Sequence, residues 1–244
     1  MFSKSRLGAY FILFLAAACI AGTAAHYTVK KPAGILQNLE HDSIIIDLPS
    51  GGYRATPVLA DIARHEHFDE MMTRIKPHAA IIGTYYGADM QPIGDILING
   101  KLLRRGGQRQ GIGFTSSGKV VFRERRGSSR MDWSGCENGI ACGPRLLRDG
   151  QISIDVVADG FKPGANTLEA RRCAVGATVQ GKLVMLCVRE AVTLNTLAQA
   201  MLELGAVDAI NLDGGGLCGL YAKNKCLVQP VLPVSSVLAV YKTK

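Results

Sequence analysis

The chain has 244 residues, of which 48% are hydrophobic and 20% charged, with a formal charge of +8. That is enough apolar material for one sizeable core, and it suits a single domain better than two small ones. Zinc-type spacings are missing, since there is no CxxC and no HExxH, and no nucleic-acid-binding motif accompanies the positive charge.

The first 25 residues read differently from the rest. Lys4 and Arg6 precede an uncharged apolar run over residues 7–20, followed by the small residues "AGTAA". This is the layout of a secretory signal peptide, and the run is shorter than the ~20 residues of a membrane-spanning helix. A cleaved leader predicts a periplasmic or secreted protein. Two rival readings are an uncleaved N-terminal anchor and a lipid attachment at Cys19, where the leucine of "LAAA" sits one position too early.

Residues 41–244 then read as one domain of α+β class, mostly antiparallel or mixed β-sheet with a few packed helices. Short β-rich runs come first: "SIIIDLP", "AAIIGTYYG", "GDILINGKLLRR" and "GIGFTSSGKVVFRE". Asn99-Gly100 and the "SSGK" stretch are hairpin-type turns, so antiparallel meanders follow. Residues 58–75 carry helix-compatible spacing together with His65 and His67. Two positions apart on a helix point to different faces, so these histidines read as surface residues; His26, His41 and His78 are isolated.

The basic excess is concentrated. Residues 101–130 hold nine basic side chains (Lys101, Arg104, Arg105, Arg109, Lys119, Arg123, Arg125, Arg126 and Arg130) against the single acid Glu124, which matches the whole net charge. One reading is a surface for phosphate-bearing polymers or an anionic membrane; the other is a solvated hairpin.

In the C-terminal half, "EARRCAVGATVQGKLVMLCVRE" reads as two strands around a turn at Gln180-Gly181. Thr193 is a good N-cap, and Leu194, Leu197, Ala198, Met201 and Leu202 make one apolar stripe, with Gly205 as the stop. The run "AVDAINL" is a strand, a hairpin turns at Lys223-Asn224, and "VSSVLAVY" closes the domain. Without the leader six cysteines remain: Cys136, Cys142, Cys173, Cys187, Cys218 and Cys226. An even number suits disulfides in an exported protein. Cys173 could face Cys187 across its turn and Cys136 could close a loop with Cys142; buried free thiols are the alternative.

The strand "AVDAINL" delivers Asp213 to Gly214, Gly215 and Gly216. Glycines permit close approach of a ligand to backbone amides, and a carboxylate beside them can accept from a sugar hydroxyl or act on a scissile bond. A tight connection whose aspartate caps its own turn fits the spacing equally well.

The motif "AINLDGGG" after "LAQAMLELGAVD" resembles the phosphodiester glycosidase family. "RRCAVGATVQGKLVMLCV" is similar to that family's arginine-containing strand, with Arg172 at the arginine. "CGPRLLRDGQ" resembles its Gly-Pro-x-Leu segment, and "IIGTYYGADMQPIGDILINGK" its Asn-Gly-x-Phe-Phe and Pro-x-Gly stretch. The resemblance runs over residues 43–241. It departs at Ile82, where the family has asparagine, and at Leu217 and Cys218, where it has small hydroxyl residues.

The resemblance implies hydrolysis of a sugar-1-phosphodiester, or of a phosphoglycan that contains one, at the anomeric carbon. Positive charge develops on the ring while phosphate departs, so the site needs carboxylates near the sugar and cations or amides near the phosphate. On this reading Asp213 is the catalytic carboxylate and Asp95 a second one, preferred over Glu169 and Asp208. Arg172 grips phosphate, Asn211 and the amides of Gly214, Gly215 and Gly216 bind substrate, and Tyr85 and Tyr86 line the sugar pocket, one of them turning to the core. No metal ligand or cofactor is expected. The competing reading is an exported glycan- or phosphosugar-binding module that has kept the loop and lost turnover.

Overall fold

Sixteen short strands lie among the described residues, and their pairings there are antiparallel throughout. The computed structural model describes residues 34–243; the expected leader, with Cys19 and His26, lies outside them. In chain order the elements are β1 (His41–Ile46), β2 (Tyr53–Leu59), α1 (Phe68–Ile75), β3 (Ala79–Ile82), β4 (Ile96–Ile98), β5 (Lys101–Arg104), β6 (Gln110–Phe114), β7 (Val120–Glu124), β8 (Asn138–Cys142), β9 (Arg145–Arg148) and β10 (Gln151–Ile152). They continue with β11 (Ala170–Thr178), β12 (Leu183–Val192), α2 (Leu194–Glu203), β13 (Ala206–Asn211), β14 (Leu220–Ala222), β15 (Lys225–Val228) and β16 (Ser236–Lys242).

The strands form three sheets. The first has six, in the order β1-β12-β11-β13-β9-β10; the second has five, β15-β14-β3-β16-β2; the third has five, β5-β4-β8-β6-β7. With two α-helices among the described residues, this is an α+β fold. None of those helices is long and apolar enough to cross a membrane.

Strand periodicity explains how the layers meet. Along β12, Leu183, Met185 and Cys187 enter the core shared by the three sheets, while Val184, Leu186 and Val188 face the other side. α2 covers that second face with Leu194, Leu197, Ala198 and Met201. It starts where the sequence places it, because Thr193 accepts a hydrogen bond from the Thr196 amide at 3.2 Å. Gly205, at φ +84°, ends it in a left-handed conformation. The hairpin turns at Asn99-Gly100 and Lys223-Asn224 likewise have positive φ at both central residues.

Several expectations need correction. Residues 58–75 are not one helical stretch: Val58 and Leu59 finish β2, and α1 begins only at Phe68. The "AAIIGTYYG" run is a strand only as far as Ile82. Cys136 and Cys142 do not close a loop: Cys136 Sγ sits against Gly113, whereas Cys142 pairs with Gln110, three residues and about 10 Å away along β6. That exceeds the reach of a disulfide. The basic segment is not one free cationic face either: Arg104, Arg109 and Arg123 donate to the carbonyls of Pro92, Ala158 and Ser134.

Candidate active site

The site grows from the β11–β13 ladder. Ala174 pairs with Asn211, and carrying that register two residues further sets Arg172 across from Asp213. Side chains alternate along a strand, so Asn211, Asp213 and Arg172 share one face of the sheet. The loop must lie flat against β11 to hold this register. A Cβ on Gly214 would stand 2.7 Å from the Arg171 carbonyl oxygen, so a glycine is required there. Gly215, at φ +60°, starts a single 3-10 turn, Gly215–Leu217, that carries the chain away. The Asp213 amide is fixed by the Gly83 carbonyl at 3.2 Å, which ties the loop to the second sheet.

Asp213 is 8% exposed, and the one hydrogen bond to its carboxylate comes from the neighbouring Gly214 amide at 2.8 Å. Burial therefore dominates and pushes its pKa from 3.8 up to about 7; the Gly214 amide opposes the rise and the Cys218 sulfur adds to it. A carboxyl poised near neutrality can take or give a proton. Tyr86, also raised chiefly by burial and then by Asp213, reaches toward the Pro233 carbonyl.

Beside Asp213 lies a polar knot. Asn211 Nδ2 donates to Tyr85 Oη at 2.6 Å and to the Leu212 and Gly143 carbonyls at 2.6 and 3.3 Å. Tyr85 Oη itself donates to the Gly143 carbonyl at 2.8 Å. Tyr85 is thus the tyrosine that turns inward, and Phe161 packs edge-on against its ring at 5.9 Å. Burial pushes its phenol well up. Asn211 Oδ1, by contrast, is buried with no donor facing it.

Arg172 does not form an ion pair with Asp213. Its Nε donates to the Val192 carbonyl at 3.3 Å and its Nη2 to the Leu168 carbonyl. Of five N–H groups, these use two. Burial lowers its pKa, while Tyr85 and Cys218, both neighbours of Asp213, act the other way.

Beneath the loop three sulfurs gather in the core. Cys173 faces Cys187 across β11 and β12. The Cys173 carbonyl accepts from Leu212 on the opposite side, so the two cysteines form a non-hydrogen-bonded pair, where side chains approach most closely. Their Sγ atoms are 2.7 Å apart. Cys218 is their neighbour in the same core, and the proximity of Cys173 and Cys187, ahead of the nearby Arg171 and Arg172, lowers its pKa. Cys142, also close to Asp213, is pushed up to about 12 by burial.

The positions that depart from the family pattern turn inward: Ile82, Leu217 and Cys218 are 2%, 9% and 0% exposed and belong to the shared core. Asp95 shares no hydrogen-bond partner with Asp213 among the described residues. One oxygen accepts from the Gly106 amide at 2.7 Å and the other from Trp133 Nε1 at 2.9 Å, so it ties loops of the third sheet together. Sequence reasoning passed over the Gly143 carbonyl, Phe161 and Arg171, whose Nε is buried without a partner. Only the Gly-Pro of "CGPRLLRDGQ" signalled the first of these; Gly143 has φ +146° before a cis peptide bond.

Comparison with known proteins fits this geometry. No curated protein sequence matches the chain. Among solved structures, the catalytic domain of zebrafish N-acetylglucosamine-1-phosphodiester alpha-N-acetylglucosaminidase, auto-inhibited by its pro-peptide, is similar with a TM-score of 0.66 and 20% identity, covering 84% of each chain. A Synechocystis protein is similar with a TM-score of 0.61 and 16% identity over 84% of this chain and 59% of its own. A Burkholderia pseudomallei protein described as exported follows with 0.62 and 12% over 82% and 73%. These likenesses establish a shared fold. The sequence itself matches the family pattern over residues 76–241, which includes β3, the knot at Tyr85 and the whole β11–β13 ladder: the chain belongs to the phosphodiester glycosidase family.

Proposed function

We propose that the chain is an exported hydrolase that cleaves a sugar-1-phosphodiester between the anomeric carbon and the phosphate oxygen. The observation that carries this reading is the buried Asp213 carboxyl, raised to about 7, on the same sheet face as Arg172 and beside the unpartnered acceptor of Asn211. Asn211 Oδ1 is complementary to a sugar hydroxyl. The free Nη1 end of Arg172 and the glycine loop are complementary to phosphate.

In this mechanism water attacks the anomeric carbon and gives a proton to ionised Asp213. The carbon–oxygen bond to phosphate breaks, and its electron pair leaves on the phosphate. A free sugar and a phosphomonoester result. Phosphate is already a good leaving group, so one carboxylate suffices and Asp95 has no role. Export rests on the leader-like N-terminus, and the similarity to a protein described as exported agrees with it.

Hydrolysis of a sugar-1-phosphodiester in ¹⁸O-water tests the bond assignment: label in the sugar supports it, and label in the phosphate means attack at phosphorus. The second reading, a binding module, is favoured by the core-facing Leu217 and Cys218 where the family carries hydroxyls. Saturable binding with no turnover of any substrate in a panel of sugar-1-phosphodiesters would select it.

A further inference from the structure

A small cavity of about 90 Å³ opens where the loop after β7 meets the loop after β5; Arg105, Gln108, Arg125, Ser128, Ser129 and Arg130 line it, with Asp95 at its wall. Its electrostatics are unusual. Asp95 is its one carboxylate, and both of that group's oxygens are engaged by Gly106 and Trp133. Among the described residues none of the three arginines forms a salt bridge. Three guanidiniums against one carboxylate leave two positive charges uncompensated.

Two polar atoms in the lining residues are unspent. Arg125 Nε and Gln108 Oε1 are both buried without a hydrogen-bond partner, a costly state for a charged donor and a neutral acceptor alike. These two atoms lie behind the wall; the cavity itself is lined by the three arginines and by Ser128 and Ser129, donor-rich side chains that suit a negatively charged, oxygen-rich ligand. The volume is about that of three waters, room for one tetrahedral oxyanion but not for a sugar ring, so the ring must lie outside.

The cavity is also close to the candidate active site. The Ile93 amide donates to the Tyr85 carbonyl and the Gly107 amide to the Ile93 carbonyl, which keeps the Tyr85 and Gly107 backbones within about 10 Å of each other. Gly94 packs on Thr84: a Cβ there would lie 2.5 Å from Thr84 Oγ1.

We propose that this cavity is a second phosphate subsite, which holds the phosphate of a neighbouring sugar-phosphate unit while the scissile linkage lies at Asp213. The natural substrate is then a polymer or oligomer with a phosphate on successive hydroxylated units. This rests on the hydrolase reading above and adds the substrate class to it.

The test uses the full chain and its Arg125→Gln and Arg125→Lys variants, with folding checked by circular dichroism. Three probes are titrated: a trimer of N-acetylglucosamine-1-phosphate units, inorganic phosphate, and phosphatidylglycerol vesicles. Wild type should bind the trimer about tenfold tighter than a single sugar phosphodiester, inorganic phosphate should compete, and Arg125→Gln should erase the difference. Arg125→Lys should restore only part of it, since the ammonium lacks the planar fork. Hydrolysis of the single phosphodiester should stay within about twofold in both variants. Equal trimer affinity in wild type and Arg125→Gln overturns the subsite. So does Arg125-dependent binding to vesicles without Arg125-dependent binding to the trimer, which would make this a membrane contact. Arg125-dependent trimer binding without hydrolysis by any variant keeps the subsite and removes the hydrolase reading instead.

Discussion

Asp213 and Asp95 are buried to nearly the same degree, 8% and 6% exposed, yet they are opposite in kind. Asp95 has a donor on each oxygen, and those donors come from two loops that it holds together. Asp213 has a single donor, supplied by the next residue in the chain. Burial alone therefore does not decide what a carboxylate is free to do; the number of donors that meet it does. The fold positions the second kind at the end of a ladder, where a glycine loop replaces the side chains that could have satisfied it.

Asn for Asp213 should break the comparison most sharply. Asp213→Asn is expected to lower kcat for a sugar-1-phosphodiester by about 10³-fold or more, and retained activity would remove Asp213 from the chemistry. The same change should stabilise the fold. The folded-state pKa is raised from 3.8 to about 7, so the native protein holds its proton longer, and wild-type stability falls as pH rises through that window. Thermal unfolding should show the variant more stable than wild type above pH 7, with the gap closing below pH 4. In the wild type, kcat/KM should rise with pH up to about 7 and then level off, as an ionised base requires; a fall above 7 would make Asp213 an acid instead.

Arg172→Lys should reduce kcat/KM by about tenfold on a phosphodiester and much less on a simple glycoside carrying the same sugar. Equal losses on both would deny it the phosphate. Asp95→Ala tests the other side of the comparison: stability should fall by about 1–3 kcal/mol, because Gly106 and Trp133 lose their acceptor, while the folded protein keeps its kcat. The smallest effect is expected from Tyr85→Phe, about 1 kcal/mol in stability. Asn211 retains the Gly143 and Leu212 carbonyls in that variant.

The sequence made the C-terminal half readable because its signals are local. A cap, an apolar stripe, a stop and a strand follow one another from Thr193 to Asn211, and each is a short-range property. β8 gave no such pattern. All five of its residues are buried, so no polar face alternates with an apolar one, and two of its neighbours in the chain are Gly143 and Pro144. β2 was obscured by Pro57, which the structure accommodates because β2 is the edge of its sheet. Asp213, Asn211 and Arg172, which the β11–β13 register brings to one sheet face, sit inside recognisable motifs. The Gly143 carbonyl, Phe161 and the inward turn of Tyr85 depend on sheet order and on loops far apart in sequence, which no spacing encodes. The engagement of Asp95 is equally hidden: its partners, at 106 and 133, lie well beyond any local window.

The trio of Cys173, Cys187 and Cys218 is odd in number, and a sulfur–sulfur bond uses two. All three are free thiols in the structure; were any pair to oxidise, one thiol would be left over beneath the glycine loop, and the oxidised protein would be lighter than the reduced by the mass of a hydrogen pair. Batches should therefore be matched by intact mass before their rates are compared.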